Sequence, residues 1–181
     1  MEHFYETIDG WFNFQDIYTD QVNIARDGAH FVEIGAWLGK STAFMAVEIL
    51  NSGKHIRFDV VDTWRGSDDE LETSHSLAKE KDIFQVFTDN LQPLADKINP
   101  VRATSVEAAK LYNDRSLDFI FIDANHSYEF VKADIGAWLP KLKKGGYIGG
   151  HDYDWAGVKK AVDEFFCDGL QNIGVSWLYH N

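Results

Sequence analysis

Two short stretches carry the side chains best able to move a proton: Asp123-Ala124-Asn125-His126 and His151-Asp152-Tyr153. An imidazole with an unperturbed pKa of about 6.5 takes a proton from an acceptor hydroxyl near neutrality, and a neighbouring acid can orient its ring. His126 is the better placed candidate base. His151 can be oriented by Asp152, and either ring can instead be a turn histidine bonded to backbone. A third constellation, VEIGAWLGKST over 32–42, reads as strand, glycine turn and helix start. Gly35 permits the turn, Gly39 permits close backbone approach, and the N–H groups of the helix start can meet a ligand's polar end. Asp62 can accept two hydrogen bonds from the vicinal hydroxyls of a ribose, or act as a cap or turn former. Ser105 can offer its hydroxyl or N–H to an adenine edge, or cap the helix that follows it over 106–112. A dinucleotide would need glycine where Trp37 stands. An indole there blocks a pyrophosphate but can border a cofactor that lacks one.

These residues share a position: each follows an apolar run. The runs 30–35, 55–62, 100–104, 117–122, 146–150 and 173–179 predict strands, several of them apolar at consecutive positions as strands buried on both faces are. Between them, 41–50, 127–139 and 156–166 predict helices with apolar stripes. The alternation predicts an α/β fold with a mostly parallel sheet and helices on both faces. Ligands of such sheets bind outside the carboxyl ends of the strands, near the point where strand order reverses. Four of the five strand ends that follow 30–35 to 146–150 hold a carboxylate. Two stretches fall outside the alternation. Residues 1–28 are aromatic and partly helical around 14–25, a cap, and the polar 64–78 has the composition of a lid.

Composition narrows the function. Over 181 residues, 29 acidic and 17 basic side chains leave a net charge of −12, which opposes tracking of nucleic-acid phosphates. The cluster Lys141, Lys143, Lys144 reads as a solvated helix end. With 45% hydrophobic residues and only three prolines the chain predicts a real core and one domain over 1–181. A single cysteine forms no internal disulfide, and there is no basic leader or long apolar span, so a cytoplasmic location with no membrane partner is expected.

On the motifs V-E-I-G-x-x-x-G-x-S (Val32 to Ser41), I-D-x-x-H-S-Y-E (Ile122 to Glu129) and G-G-x-x-x-x-H-D-Y (Gly145 to Tyr153), the chain resembles the Rossmann-like S-adenosylmethionine-dependent methyltransferases. The likeness spans roughly residues 30 to 167 and includes the macrocin and catechol O-methyltransferase types. It implies a single-domain Rossmann-like fold of six or seven strands with an antiparallel C-terminal strand, its final hairpin abbreviated. By the same resemblance Glu33, Gly35, Gly39 and Ser41 surround the methionine part of the cofactor, Asp62 the ribose and Ser105 the adenine, with Trp37, Trp64 and Asp123 completing the cofactor site. Asp123 and Asp152 match carboxylates that hold magnesium in metal-dependent relatives, where an ion lowers the acceptor's pKa. His151 departs from that pattern and points to manganese, iron or zinc.

The resemblance therefore implies methyl transfer to the hydroxyl of a small acceptor, a sugar, phenolic or polyketide, with His126, Asp152 and His151 as catalytic residues. Trp37, Trp64, Tyr128, Tyr153 and Trp155 can wall the acceptor, and a homo-oligomer is compatible with the fold. Two alternatives keep the fold: a metal-dependent hydroxylase of the cephalosporin hydroxylase type, and a cofactor-binding module without turnover. A nicotinamide oxidoreductase is disfavoured by Trp37.

Overall fold

The computed structural model describes residues 1–66 and 81–181. Seven strands form one sheet in the order β3-β2-β1-β4-β5-β7-β6. The first five are β1 (His30–Ile34), β2 (Arg57–Asp62), β3 (Asn99–Arg102), β4 (Leu117–Ile122) and β5 (Leu142–Gly150), paired in parallel. β7 (Ser176–His180) runs antiparallel to β5 and to β6 (Leu170–Ile173). Succession along the chain moves outward from β1 to β3, then returns to β4 on the other side of β1. A crevice opens at that reversal, above the carboxyl ends of β1 and β4.

The alternation of side chains along a strand divides the core in two. Phe31, Phe58, Val60, Phe119 and Phe121 point to one face, which α1 (Gln15–Ile24), α2 (Lys40–Ser52) and α3 (Ile83–Asn90) cover. Val32, Ile34, Val61, Ile120 and Ile148 point to the other, under α4 (Ser105–Ala109), α5 (Tyr128–Trp138) and α6 (Ala156–Phe165). β1 and β4 are flanked by strands and covered on both faces, so each carries apolar residues at consecutive positions, Phe31-Val32 and Phe119 to Ile122.

Three expectations need correction. The predicted strand 173–179 is two strands: Ile173 pairs with Ser176 across a two-residue turn, Gly174-Val175, so the terminal hairpin is complete. Gly174 has φ +63°, as the first central position of such a turn requires. The apolar run Ile173, Val175, Trp177 hid the break. Lys143 and Lys144 lie in β5, which starts at Leu142, and Lys143 bonds Asp118 at 2.5 Å, so they end no helix. Helix α3 was not anticipated; it starts where the Asp82 carboxylate accepts from the Phe84 and Gln85 N–H groups. The lid expected over 64–78 lies, from 67 onward, outside the described residues.

The N-terminal segment packs on α2 through its aromatics, with Phe12 and Tyr5 centred 5.1 and 5.2 Å from Phe44. Phe14 reaches the sheet at Phe121, 4.5 Å away. Among the described residues no helix is long and apolar enough to cross a membrane.

Candidate active site

A cavity of about 840 Å³ lies over the crevice. The turn after β1 (Gly35, Ala36, Trp37) and Ser41 at the start of α2 form one wall, with Asp62 after β2 and Ala103 to Val106 after β3 at one end. The loops after β4 and β5 bring Asp123, His126, His151 and Asp152 to the other end. Asp9 to Asn13 of the N-terminal segment and one face of α5 complete the lining.

At the β1–β3 end, polar side chains hold backbone. Asp62 Oδ2 accepts from the N–H groups of Ala36 (2.8 Å) and Trp37 (3.0 Å), and Oδ1 accepts from Trp64 (2.7 Å). A carboxylate has about four acceptor sites, so one remains for a ligand hydroxyl. The carboxylate is thus both turn former and cavity wall. It orders the turn in which Trp37 adopts φ +49°, a conformation side chains resist. Gly35 is required by contact as well as by its φ of +88°: a Cβ there would lie 1.9 Å from the Asp123 carbonyl oxygen. The turn after β1 and the end of β4 thus touch backbone to backbone.

Three residues expected at the cofactor do not line the cavity. Glu33 alternates to the opposite face from Ile34, where it is buried and accepts from Tyr18 Oη (2.7 Å) and from Thr42 Oγ1. Burial pushes its carboxyl up to about 7, against the hydrogen bonds of Thr42, Ser41 and Tyr18 that pull it down. Its place is beneath the site, tying α1 and α2 to β1. Gly39 faces α3, where a Cβ would meet the Leu91 side chain at 2.8 Å. Trp64 is 3% exposed, packed between Phe84 and Phe87, and its indole N–H donates to the Trp37 carbonyl (3.1 Å). It supports the turn from behind.

At the β4–β5 end, side chains hold one another. Asp152 Oδ2 lies 3.0 Å from both His126 Nε2 and His151 Nδ1, and Asp123 Oδ1 is 3.7 and 3.9 Å from the same nitrogens. Asp152 reaches this position from a left-handed backbone, φ +55°. Burial alone would lower the pKa of His126, but its hydrogen bonds to Asp123 and Asp152 and their charges outweigh it and raise it to about 10. His151 is raised by the same balance, and the two rings hold Asp152 well below the usual carboxylate range despite its burial. At neutral pH His126 is therefore a cation in this arrangement and must lose a proton before it can take one.

Asp123, His126 and Asp152 each offer a ligand atom, all within 4.8 Å of one another. Two carboxylates and an imidazole suit a divalent cation of manganese, iron or zinc type better than magnesium. Of the aromatics expected around the acceptor, Trp37 and Trp155 line the cavity. Tyr128 bonds Glu164 and Tyr153 bonds Asp163 on α6 instead.

Among the polar residues of the lining that carried no functional expectation are Asn13 and Asp134. Asn13 Oδ1 accepts from His151 Nε2 at 2.6 Å, a contact across 138 positions that no local pattern announces. Asp134, 4% exposed, does have a sequence signal: it interrupts the apolar stripe of Val131, Ile135 and Trp138 with a carboxylate.

The sequence model of a family described as a methyltransferase domain matches residues 32–153. The uncharacterized protein y4gI of Sinorhizobium fredii (strain NBRC 101917 / NGR234) is 25% identical over 150 residues, which are 83% of this chain and 16% of that protein. The chain thus spans about a sixth of the length of this curated relative. Among solved structures, the O-methyltransferase NovP superposes with a TM-score of 0.70 at 18% identity, covering 92% of this chain and 78% of that one. Cofactor-bound Rv0187 from MTB gives 0.64 at 16% identity, covering 96% and 84%. The calicheamicin methyltransferase CalS11 gives 0.61 at 16%, covering 92% and 76%. At these identities the likeness to solved structures is one of fold. The matched segment runs from β1, through the turn held by Asp62, to the loop that carries His151 and Asp152, and on that match the chain belongs to the Rossmann-like S-adenosylmethionine-dependent methyltransferase family.

Proposed function

We propose that this chain transfers the methyl group of S-adenosylmethionine to a hydroxyl of a small molecule. The observation that carries the reading is that the turn bearing Trp37, held by Asp62, and an acid–imidazole cluster open onto one cavity. When bound, the cofactor supplies a methyl group already activated on a sulfonium. What is left to the protein is alignment, exclusion of water and removal of the acceptor's proton.

The residues divide those tasks. Ser41 suits the amino-acid end, and the remaining acceptor site on Asp62 suits a ribose hydroxyl. Asp123 and Asp152 put negative charge where a cationic sulfur is preferred over the neutral sulfur of the product. Asp152 aligns both imidazoles, and Asn13 fixes the far side of His151. A divalent cation held by Asp123, Asp152 and His126 would displace the His126 proton and acidify an acceptor hydroxyl. Trp155, centred 4.8 Å from the His126 ring, and the N-terminal Trp11, 67% exposed at the rim, suit the flat face of a sugar or a phenol. CalS11 is described as a TDP-rhamnose 3'-O-methyltransferase, which supports a sugar among the acceptors to try.

Calorimetry with S-adenosylmethionine, S-adenosylhomocysteine and NAD, with and without manganese, tests the cofactor. Radiolabelled methyl transfer to a panel of sugar, phenolic and polyketide hydroxyls tests the reaction. Micromolar binding of the adenosyl ligands with no binding of NAD is expected. Preference for NAD, or iron-dependent oxidation without methyl transfer, overturns the proposal.

A further inference from the structure

The β4–β5 end of the cavity is bordered by more than the groups that exchange protons. Asn13 bonds His151, which brings the segment Asp9 to Asn13 to the cluster, and Trp155 is centred 4.8 Å from the His126 ring. Glu129 and Phe130, in the first turn of α5, follow His126 closely along the chain and line the cavity too. Eight large apolar side chains stand exposed among the described residues, and four of them, Trp11, Val106, Phe130 and Trp155, border this one cavity. Exposed apolar residues are ordinarily scattered, so half of them gathered at one opening mark a surface that a ligand covers. Charge on the same lining is one-sided. Among the described residues it holds no arginine and one lysine, Lys40, which opens α2 beside Ser41. The imidazoles of His126 and His151 are matched by Asp123 and Asp152. That leaves Asp9 and Glu129, both exposed on the lining and neither in a salt bridge among the described residues.

We propose that the methyl acceptor is an uncharged molecule with a broad apolar face, taken free rather than on an anionic carrier such as a nucleoside diphosphate or a coenzyme A thioester. The inference rests on the methyl-transfer reading above and names its substrate class. The reacting hydroxyl meets Asp123, His126 and Asp152, and the rest of the molecule extends past Trp11 and Trp155, whose indoles cover its apolar face. Phosphate and carboxylate groups are held by arginine forks or by lysines. The lining offers no fork, and Lys40 stands beside Ser41, at the end assigned to the cofactor's amino-acid part. An anionic carrier would instead meet Asp9 and Glu129, and the net charge of −12 adds to the same field. The TDP-rhamnose named for CalS11 carries a diphosphate, so the acceptor here differs in class from that one.

Calorimetry on the chain loaded with S-adenosylhomocysteine tests this with two matched sets, caffeic acid methyl ester against caffeate and caffeoyl-CoA, and phenyl rhamnoside against TDP-rhamnose. In each set the uncharged member is expected to bind at least ~10-fold tighter. With Asp9→Asn and Glu129→Gln together, the members of a set should come to within about threefold of one another. Trp11→Ala should weaken binding of the uncharged members roughly 10-fold and leave the affinity for S-adenosylhomocysteine within about twofold. Equal or tighter binding of the anionic members, or binding of neither uncharged member, overturns the acceptor class. A preference that survives the paired substitution in full overturns the role of the two carboxylates. The wild-type comparison decides even if a variant does not fold. A chain that does not bind S-adenosylhomocysteine overturns the cofactor assignment instead, so the two failures are distinct.

Discussion

The two ends of the cavity are built from the same residue type and use it in opposite ways. At the β1–β3 end the Asp62 carboxylate is spent on main-chain N–H groups, and Glu33, Gly39 and Trp64 brace the turn from outside the cavity. At the β4–β5 end Asp123 and Asp152 face imidazoles, whose protons can leave. Backbone partners are permanent, whereas imidazolium partners can be exchanged for a cation or a substrate proton. The first end is built to hold a shape, the second to change state.

The largest effect should come from the place where the two ends meet. Gly35→Ala puts a methyl group into the Asp123 carbonyl at a left-handed position, and a loss of at least about 3 kcal/mol in chemical denaturation is expected. A near-neutral result would mean that the ends move independently. Asp152→Asn takes the anion from both imidazoles. Turnover should drop ~100-fold or more while the dissociation constant of S-adenosylhomocysteine shifts less than about threefold. Equal changes in both would erase the division of labour.

Glu33 supplies a pH signature for the holding end. Its folded pKa of about 7 lies above the usual carboxylate value, so between the two the folded state carries the extra proton. The Glu33 contribution then falls by roughly 3 kcal/mol as pH rises from about 4.5 to 7 and changes no further above that range, where loss of the His126 proton continues the decline. Denaturation midpoints should fall less steeply over this range in Glu33→Gln than in the wild type, the remainder coming from Asp134. An unchanged slope would place its origin elsewhere. The smallest effect is expected from Asp62→Asn, which keeps the shape of the side chain but weakens its bonds to the turn. S-adenosylhomocysteine should bind about 1 kcal/mol less tightly, with turnover at saturation nearly unchanged.

Much of this arrangement was readable from residue order. β1, β2 and β4 announced themselves because strands covered on both faces carry apolar residues at consecutive positions, and the cluster at 123–126 and 151–152 followed from the strand ends. What escaped depends on which way a side chain points and on what arrives from far along the chain. Glu33 sits one residue from Ile34 on the strand and so faces the other layer. The Gly39 contact with Leu91 and the Asn13 bond to His151 join segments that no local period relates. Asp134 could have been flagged, since an acid within a core stripe is expensive wherever the stripe packs.

The bond from Asn13 to His151 has a practical outcome. The family match begins at residue 32, yet the cavity wall beside His151 includes Asp9 to Asn13. Removing the residues before the match would take away Asn13 together with the core side chains Phe14, Ile17 and Tyr18, and with Tyr18 a hydrogen bond to Glu33.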